Sequence, residues 1–570
     1  QQSLASKPTI KAAVAATTAS PVFLPLPFPS HLPRPDNHDF LLNQAPYRKS
    51  YQTVLTTSYE GFVVDDQVDT EEVTVQRCLE DMKDYFRRDV TQPFGLGTKC
   101  AKTYVTRCLV GDPGTTYKYL GLRMFAHPWK SPTDSTTHNY RSKMTPSSAL
   151  TETLATTKSI FQLGQLLSER TKHHLDHLNQ QRQRRGAPLT QGRSIFDICL
   201  INRMDPTEKL KKEPSSILSN LQTSVSWHAD SSLEHYSTIA VYQTLVDPSQ
   251  QQQQQENVKN RAKNQDQWYV AMRVTPHCEG PSVGTLKQKS NIQSTVDQTI
   301  PPIAASLPSG SAYYLLDDFN HHHQHTVLLS KEPNDNNNNN NPAPSLIRYS
   351  CTFRLLRDSH NVEYILRRCQ SVVSQFHKKG MKVWRSEQLL LTEIESEWIR
   401  QFYIQGSQHY DLLWETYWKE PMEALLKYWS QLEHRTQQTC ELLRLAAQAK
   451  CHSTSPALPS SSSSSPPSKA ERKARDKQKK ALVALESLLE RRTTETTDDT
   501  NVFESMSDLL EERAKMRELW TKREKDHVFS ELAVELRPMP LPFQFCDSDQ
   551  GIQGSSITSP LPGNPVTLRN

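Results

Sequence analysis

The sequence predicts an α+β chain, in which a β-sandwich or jelly-roll domain is followed by an all-α helical bundle. Three observations predict it. Short β-branched and aromatic runs, several with apolar/polar alternation, recur between residues 45 and 370, the pattern of half-buried strands. From 371 onward the apolar period becomes helical. Runs of Gln, Asn and Ser interrupt both parts, and such compositions bury no core, so they mark surface insertions.

Residues 1–44 read as a Pro/Ala-rich disordered tail. The strand signals that follow are KTYVTRCLV, SIFDICLIN, STIAVYQTLV, QWYVAMRV, SAYYLLDD and LIRYSCTFRLL. One long polar helix is expected around 146–185, with Leu163, Leu166 and Leu167 on one side. Inserts are expected near 250–262 and 332–344 in the strand-rich part (45–370), and near 452–468 in the helical part (371–545), with a disordered tail at 546–570. In the helical part, Ile394, Trp398 and Phe402 share a face, as do Leu425, Trp429 and Leu432. Leu482, Leu485 and Leu489 mark a further helix, and Met506, Leu510 and Met516 another. The basic segment KAERKARDKQKK (469–480) reads equally as a nuclear import signal or a solvated helix face.

Composition narrows the function classes. A chain of 570 residues exceeds one ordinary core, and only 35% of it is hydrophobic, so two domains with solvated linkers are expected. The net charge of +5 permits a polyanionic partner without requiring one. The 10 cysteines are scattered and form no C-x-x-C pair, which argues against a zinc ribbon and a secreted disulfide scaffold and fits a reducing compartment. No uninterrupted apolar run approaches membrane-spanning length, so no membrane partner is expected. The proline-broken stretch AAVAATTASPVFLPLPFP is a poor signal sequence.

The triplet His-x-Asp occurs three times, at His174/Asp176, His228/Asp230 and His409/Asp411. To grip one metal, both side chains must reach one side of the chain. Residues i and i+2 do so in a strand and diverge on a helix. His174 falls in the polar helix and His409 beside the helical aromatic run, which leaves His228 in the extended segment SVSWHAD. A facial triad needs a third ligand and open positions for substrates. In YYLLDDFNHHHQHTVLL, His321 and His322 read as low-complexity expansion, while His323 and His325 share one face and are not separated by pattern. Downstream, Arg348, Ser350, Thr352 and Arg354 line one face of an extended run, a row suited to holding a carboxylate.

The segments SVSWHADSSLEHYSTIAVY, GDPGTTYKYLGLRMF, YYLLDDFNHHHQHTVL and EYILRRCQ resemble the FTO branch of the AlkB-like Fe(II)- and 2-oxoglutarate-dependent dioxygenases. ESEWIRQFYIQG, WKEPMEALLKYW and MPLPFQF resemble that family's helical C-terminal domain. The resemblance spans roughly 100 to 545. It implies a double-stranded β-helix (jelly-roll) catalytic domain with Fe(II) held by His228, Asp230 and His325. 2-Oxoglutarate, the cosubstrate used with O2, is then expected to meet Tyr313, Arg348, Ser350, Thr352 and Arg354. A further family contact is an asparagine, whose counterpart in SIFDICLIN is Asp197, a carboxylate that would repel the cosubstrate.

The methylated base is expected at Arg107, Tyr117, Tyr119, Leu120, Val225 and His228. Tyr117 and Tyr119 would form a stacking clamp. The family's His and Glu around the triplet are Ala229 and Ser231 here, so Ser231 stands where the base edge is read. The implied activity is oxidative demethylation of N6-methyladenine in single-stranded RNA, with single-stranded DNA as the other candidate, in the nucleus and also the cytoplasm. The loop DPTEKLKKEP, through Lys209, Lys211 and Lys212, would contact phosphates. The sequence names no protein partner. The competing readings are a 2-oxoglutarate hydroxylase of protein or small molecules, which would need no base clamp, and a catalytically impaired binding protein.

Overall fold

The structure is a computed structural model. It describes residues 58–68, 72–86, 90–91, 101–102, 105–119, 122–130, 148–204, 211–212, 222–246, 267–275, 303–330, 346–377, 381–402, 412–454, 468–488, 506 and 508–518. The expected tails, the Gln and Asn runs, the Ser run, His409, Asp411, Lys209, Leu120 and Leu489 lie outside the described residues. Two compact units emerge, Gln1–Tyr364 with His409–Trp418, and Ile365–Gln408 with Lys419–Asn570. The division falls slightly before the expected 370/371 boundary.

In chain order, the strands of the first unit are β1 (Phe62–Asp65), β2 (Val90–Thr91), β3 (Ala101–Lys102), β4 (Thr106–Gly111), β5 (Thr116–Tyr119), β6 (Leu122–Phe125), β7 (His127–Pro128) and β8 (Ile198–Met204). Then come β9 (Lys211–Lys212), β10 (Gln222–His228), β11 (Ile239–Val246), β12 (Gln267–Val274), β13 (Ile303–Ser306), β14 (Ala312–Leu315), β15 (His323–Ser330) and β16 (Ile347–Arg354). Its helices include α1 (Glu72–Asp81), α2 (Ser148–Arg184) and the short α3 (Phe319–His322). The strand-like segments of the sequence correspond to β4, β8, β11, β12, β14 and β16, and the long polar helix to α2.

Two sheets face each other. The larger has seven strands in the order β1-β14-β11-β16-β8-β4-β7, and the smaller five in the order β13-β12-β15-β10-β9. Alternation explains how both faces of the larger sheet are used. Ile198, Leu200 and Met204 of β8 point into a core shared with Trp268, Val270 and Met272 of β12 and Val327 of β15. Cys199 and Ile201 of the same strand point outward, into a core with Leu163 and Leu167 of α2 and Val75, Cys78 and Leu79 of α1. Gly164 lets α2 close on the sheet, since a Cβ there would lie 2.9 Å from Phe353 Cε1. Burial of both faces is why β8 reads as an apolar run over Ile198–Ile201, whereas β16 alternates Tyr349, Cys351 and Phe353 of the outer core with a buried polar row.

The second unit is helical. Its elements include α4 (Val362–Ser374), which begins in the first unit, α5 (Met381–Glu393), a π-helical turn at Ile394–Ile399, α6 (Leu412–Thr454) and α7 (Lys469–Leu488); residues 508–518 are also helical. Ile394, Trp398, Phe402, Leu425, Trp429 and Leu432 are buried. Trp384, Met506, Leu442, Leu443, Leu482 and Leu510 share a further cluster. Helix α7 opens with a reciprocal cap. Glu471 N–H donates to Ser468 Oγ (3.2 Å) and Ser468 N–H to Glu471 Oε2 (2.7 Å). Almost all of its basic segment is exposed. No described helix is long and apolar enough to cross a membrane.

Candidate metal and cosubstrate centre

The site is positioned by the pairing of β10 with β15 in the smaller sheet. Val225 is opposite Val327 and His228 opposite His325, with irregularities of register on either side of Val225. Such bulges re-aim side chains. Here they bring His228, the last residue of β10, over His325, with ring centroids 4.2 Å apart. Asp230 follows two residues later. Ligand atoms of His228, Asp230 and His325 all lie within 4.8 Å of one another. His323 goes elsewhere. Its Nε2 lies 2.9 Å from Ser58 O and its Nδ1 3.1 Å from Phe319 O, and its ring stacks on Phe319. The tie between the two histidines is thus broken by their partners.

The carboxylate of Asp230 is divided between two tasks. Arg354 donates from Nε to Oδ2 at 2.8 Å, and its Nη2 reaches the same oxygen at 2.8 Å. Oδ1 is left on the side of His228, 3.7 Å from its Nε2. Asn320 clamps the main chain, accepting the Asp230 N–H (3.0 Å) and donating to the Asp230 carbonyl (2.9 Å). Burial pushes the Asp230 carboxyl up, but Arg354, His325 and His228 together outweigh it and hold the group below its ordinary value. Burial, then the neighbouring His228, pushes the His325 imidazole down to about 3. The neutral ring is the form that binds a metal.

Arg348, Ser350, Thr352 and Arg354 are all buried on the inner face of β16. Arg348 donates from Nε to Gln243 Oε1 at 2.6 Å, has Nη1 3.2 Å from Met204 Sδ, and lies 5.5 Å above the Trp268 ring. Its Nη2 is buried and has no hydrogen-bond partner among the described residues. Burial depresses its pKa to about 10. Tyr313 of β14 is in the next row of the sheet. It faces Val241, which in turn faces Thr352. Burial raises its phenol above the ordinary range.

Asp197 is not part of this row. It precedes β8 and has the parity of Cys199 and Ile201, which point to the outer core. Its Oδ1 accepts the Leu356 N–H at 3.1 Å. Burial first, with the nearby Asp112 and Glu234 adding, pushes its carboxyl up to about 8. The inward asparagine is Asn202, which lies opposite Ser350 on one side and Arg107 on the other. Strand alternation was the signal for it. Residues 198, 200, 202 and 204 share a face, and 197 does not. Gln243, which holds Arg348, and Asn320 had no sequence signal of their own.

The remaining expected residues are distributed unevenly. Arg107 is buried on β4. Tyr117 is buried, with the Arg354 guanidinium 4.9 Å from its ring centroid, so it packs beneath the residue that holds Asp230. The backbones of Tyr119 and Val225 lie in β5 and β10, opposite Leu122 and Val327. Ser231 is exposed directly after Asp230. Lys211 and Lys212 form β9, opposite Thr223 and Gln222. His174 and Asp176 diverge on α2, since His174 turns to Asp65 (3.3 Å) while Asp176 is exposed.

The chain is similar to known proteins. A family model described as the FTO catalytic domain matches residues 49–334. A second, the FTO C-terminal domain, matches 360–458 and 466–567. The alpha-ketoglutarate-dependent dioxygenase FTO of Xenopus laevis is 26% identical over 386 residues, which cover 63% of this chain and 68% of that protein. The solved structure of OsALKBH1 is 11% identical, with a TM-score of 0.25, and covers 52% of this chain and 97% of that one; so slight a likeness carries no argument. On the matches to both domains, the chain belongs to the FTO family of alpha-ketoglutarate-dependent dioxygenases.

Proposed function

We propose that the protein is an Fe(II)- and 2-oxoglutarate-dependent oxidative demethylase of N-methylated nucleobases, with N6-methyladenine in single-stranded RNA as its main substrate. The observation that carries the reading is a buried cation without a counter-ion beside a three-ligand metal site. Among the described residues no carboxylate pairs with Arg348, and its Nη2 is an orphaned donor. A buried guanidinium left in this state is costly unless an anion arrives. The 5-carboxylate of 2-oxoglutarate supplies one, in the fork geometry that guanidinium favours.

The donor set fits the metal as well. Two imidazoles and one carboxylate leave positions open, as non-haem iron oxygenases require. The two-sheet sandwich is accordingly read as a double-stranded β-helix, with the site at its mouth. Iron, 2-oxoglutarate and oxygen supply the oxidising chemistry, whose products are succinate, carbon dioxide and formaldehyde. The chain's own residues do the positioning. Arg354 occupies Oδ2 of Asp230 and so presents Oδ1 towards the histidines. Asn202, opposite Ser350, together with Ser350 and Tyr313, would offer polar atoms to the cosubstrate. Arg107, Tyr117, Tyr119, Leu120, Val225 and Ser231 are assigned to the base, and Lys209, Lys211 and Lys212 to the phosphates of the strand. A nuclear site of action is part of this reading, supported by the exposed basic face of α7.

The test is incubation with Fe(II), 2-oxoglutarate and a panel of methylated oligonucleotides, followed by mass spectrometry of the nucleosides. Loss of N6-methyladenine from single strands is the expected result. Turnover of 2-oxoglutarate on a protein or small molecule, with every methylated base intact, would favour the hydroxylase reading instead.

A further inference from the structure

Outside the triad, two exposed imidazoles from different segments meet nitrogen to nitrogen. His235 lies in the connection between β10 and β11, and His321 in α3. His235 Nδ1 and His321 Nε2 are 3.0 Å apart, and the ring centroids 5.0 Å. Tyr236 stacks on His235 at 5.0 Å and lies 5.5 Å from the His321 ring. To reach this place Tyr236 takes a left-handed backbone, with φ 60°, a conformation that bulky residues adopt at a cost. The neighbouring acids are already engaged. Glu234 pairs with Arg193, Asp317 with Arg182 and the N–H groups of Gln191 and Gly192, and Asp318 with Arg182 and His322.

Two ring nitrogens bound to one tetrahedral ion at roughly 2.0–2.1 Å stand about 3.3–3.4 Å apart, so a small rotation of the two exposed rings converts their 3.0 Å contact into a shared ligand pair. We propose that His235 and His321 form a second, exchangeable site for a borderline divalent ion such as Zn(II), with water in its remaining positions. Burial first, then His235 and His322, hold the His321 pKa below its ordinary value, which favours the neutral ligand. The site has a mechanical consequence. His321 adjoins Asn320, the clamp on the Asp230 main chain, and the segment leading to His235 begins just after Asp230. An ion joining the two histidines therefore ties together both supports of that ligand. The inference does not depend on the demethylase reading.

Equilibrium dialysis of the full chain against Zn(II) tests it. Wild type, His235→Ala, His321→Ala and Asp230→Ala are compared, with thermal melts in metal-free buffer to establish that each is folded. Both histidine variants are expected to bind one fewer Zn(II) per chain than wild type and to lose part of the Zn(II)-induced rise in Tm. Asp230→Ala, which cripples the triad, should keep that second ion. If both histidine variants bind as much Zn(II) as wild type, the 3.0 Å contact is a hydrogen bond between neutral rings and the proposal fails.

Discussion

At the scale of single residues, parity and partners decide roles that residue type leaves open. Asp197 illustrates this. A carboxylate close to a cosubstrate row looked like a departure from its family, but one position of register puts it on the other face of the sheet. It is held there by the Leu356 N–H and pushed up to about 8 by burial. Below about pH 4 folded and unfolded chains both keep its proton. As the pH rises towards 8 the unfolded chain loses the proton and the folded chain retains it, so this group drains stability across that window. Asp197→Asn, which keeps the accepting oxygen, should raise Tm by a few degrees at pH 8 and by little at pH 5. Equal shifts at the two pH values would mean that the carboxyl ionises freely in the fold. Ser231 carries a second prediction. It is exposed beside Asp230, and under the proposed assignment of the base a longer acceptor there would reach the base edge. Ser231→Glu should change the ratio of kcat/KM for N6-methyladenine over 3-methyluracil by a few-fold to tenfold, the worth of roughly 0.5–1.5 kcal/mol. A ratio that does not move would remove Ser231 from the base pocket.

At the scale of elements, the strands were legible because they are apolar and β-branched, and α2 because its leucines recur on one side. The distinction between His323 and His325 was not legible. Both sit on the same face of β15 with similar burial, and only the register against β10 puts His325 under His228. Nor was Asn320 legible, since α3 is four residues long and lies inside a histidine-rich run. The packing of α2 on β16 matters for the site, because Phe353 beneath Gly164 adjoins Arg354 in the chain. A methyl group on Gly164 would press on the Phe353 ring at 2.9 Å. Gly164→Ala should therefore destabilise the fold by about 1–3 kcal/mol, read as a lower denaturant midpoint. A midpoint equal to that of wild type would show that the helix moves away from the sheet at no cost.

At the scale of the whole molecule, the chain has two units with different kinds of interior. The first holds the buried Arg348, whose Nη2 has no hydrogen-bond partner among the described residues. The second holds a dense buried charge network. Glu395, on the π-helical turn, accepts from Arg517 Nε (2.8 Å) and Nη2 (2.6 Å), Arg513 Nη2 (3.3 Å), Arg400 Nη2 (3.3 Å) and Trp429 Nε1 (3.1 Å). Glu433 pairs with the same Arg513 and Arg517. Burial works against the Glu395 charge, but the arginines prevail and hold its pKa at about 2. Its stabilisation is present above the ordinary carboxylate range and is lost as the pH falls towards 2. Glu395→Gln leaves buried guanidinium groups uncompensated and should cost roughly 3–5 kcal/mol at pH 7. That deficit should shrink in melts carried out below pH 4. A deficit independent of pH would mean that packing, not charge, is what the substitution removes.

In the first unit, the triad and Arg348 are proposed to serve a single iron and 2-oxoglutarate centre. An anaerobic titration of Fe(II)-loaded protein with 2-oxoglutarate tests it most directly, because the chelate of a 2-oxo acid with ferrous iron absorbs visible light. Wild type should develop that absorption and saturate. His325→Ala should not develop it. Arg348→Ala should still bind iron but require about 30-fold more 2-oxoglutarate or beyond, since removing one partner of a desolvated charge pair costs on the order of 2–5 kcal/mol. An absorption that appears equally in His325→Ala, or that saturates in Arg348→Ala at the wild-type concentration, would contradict the claim.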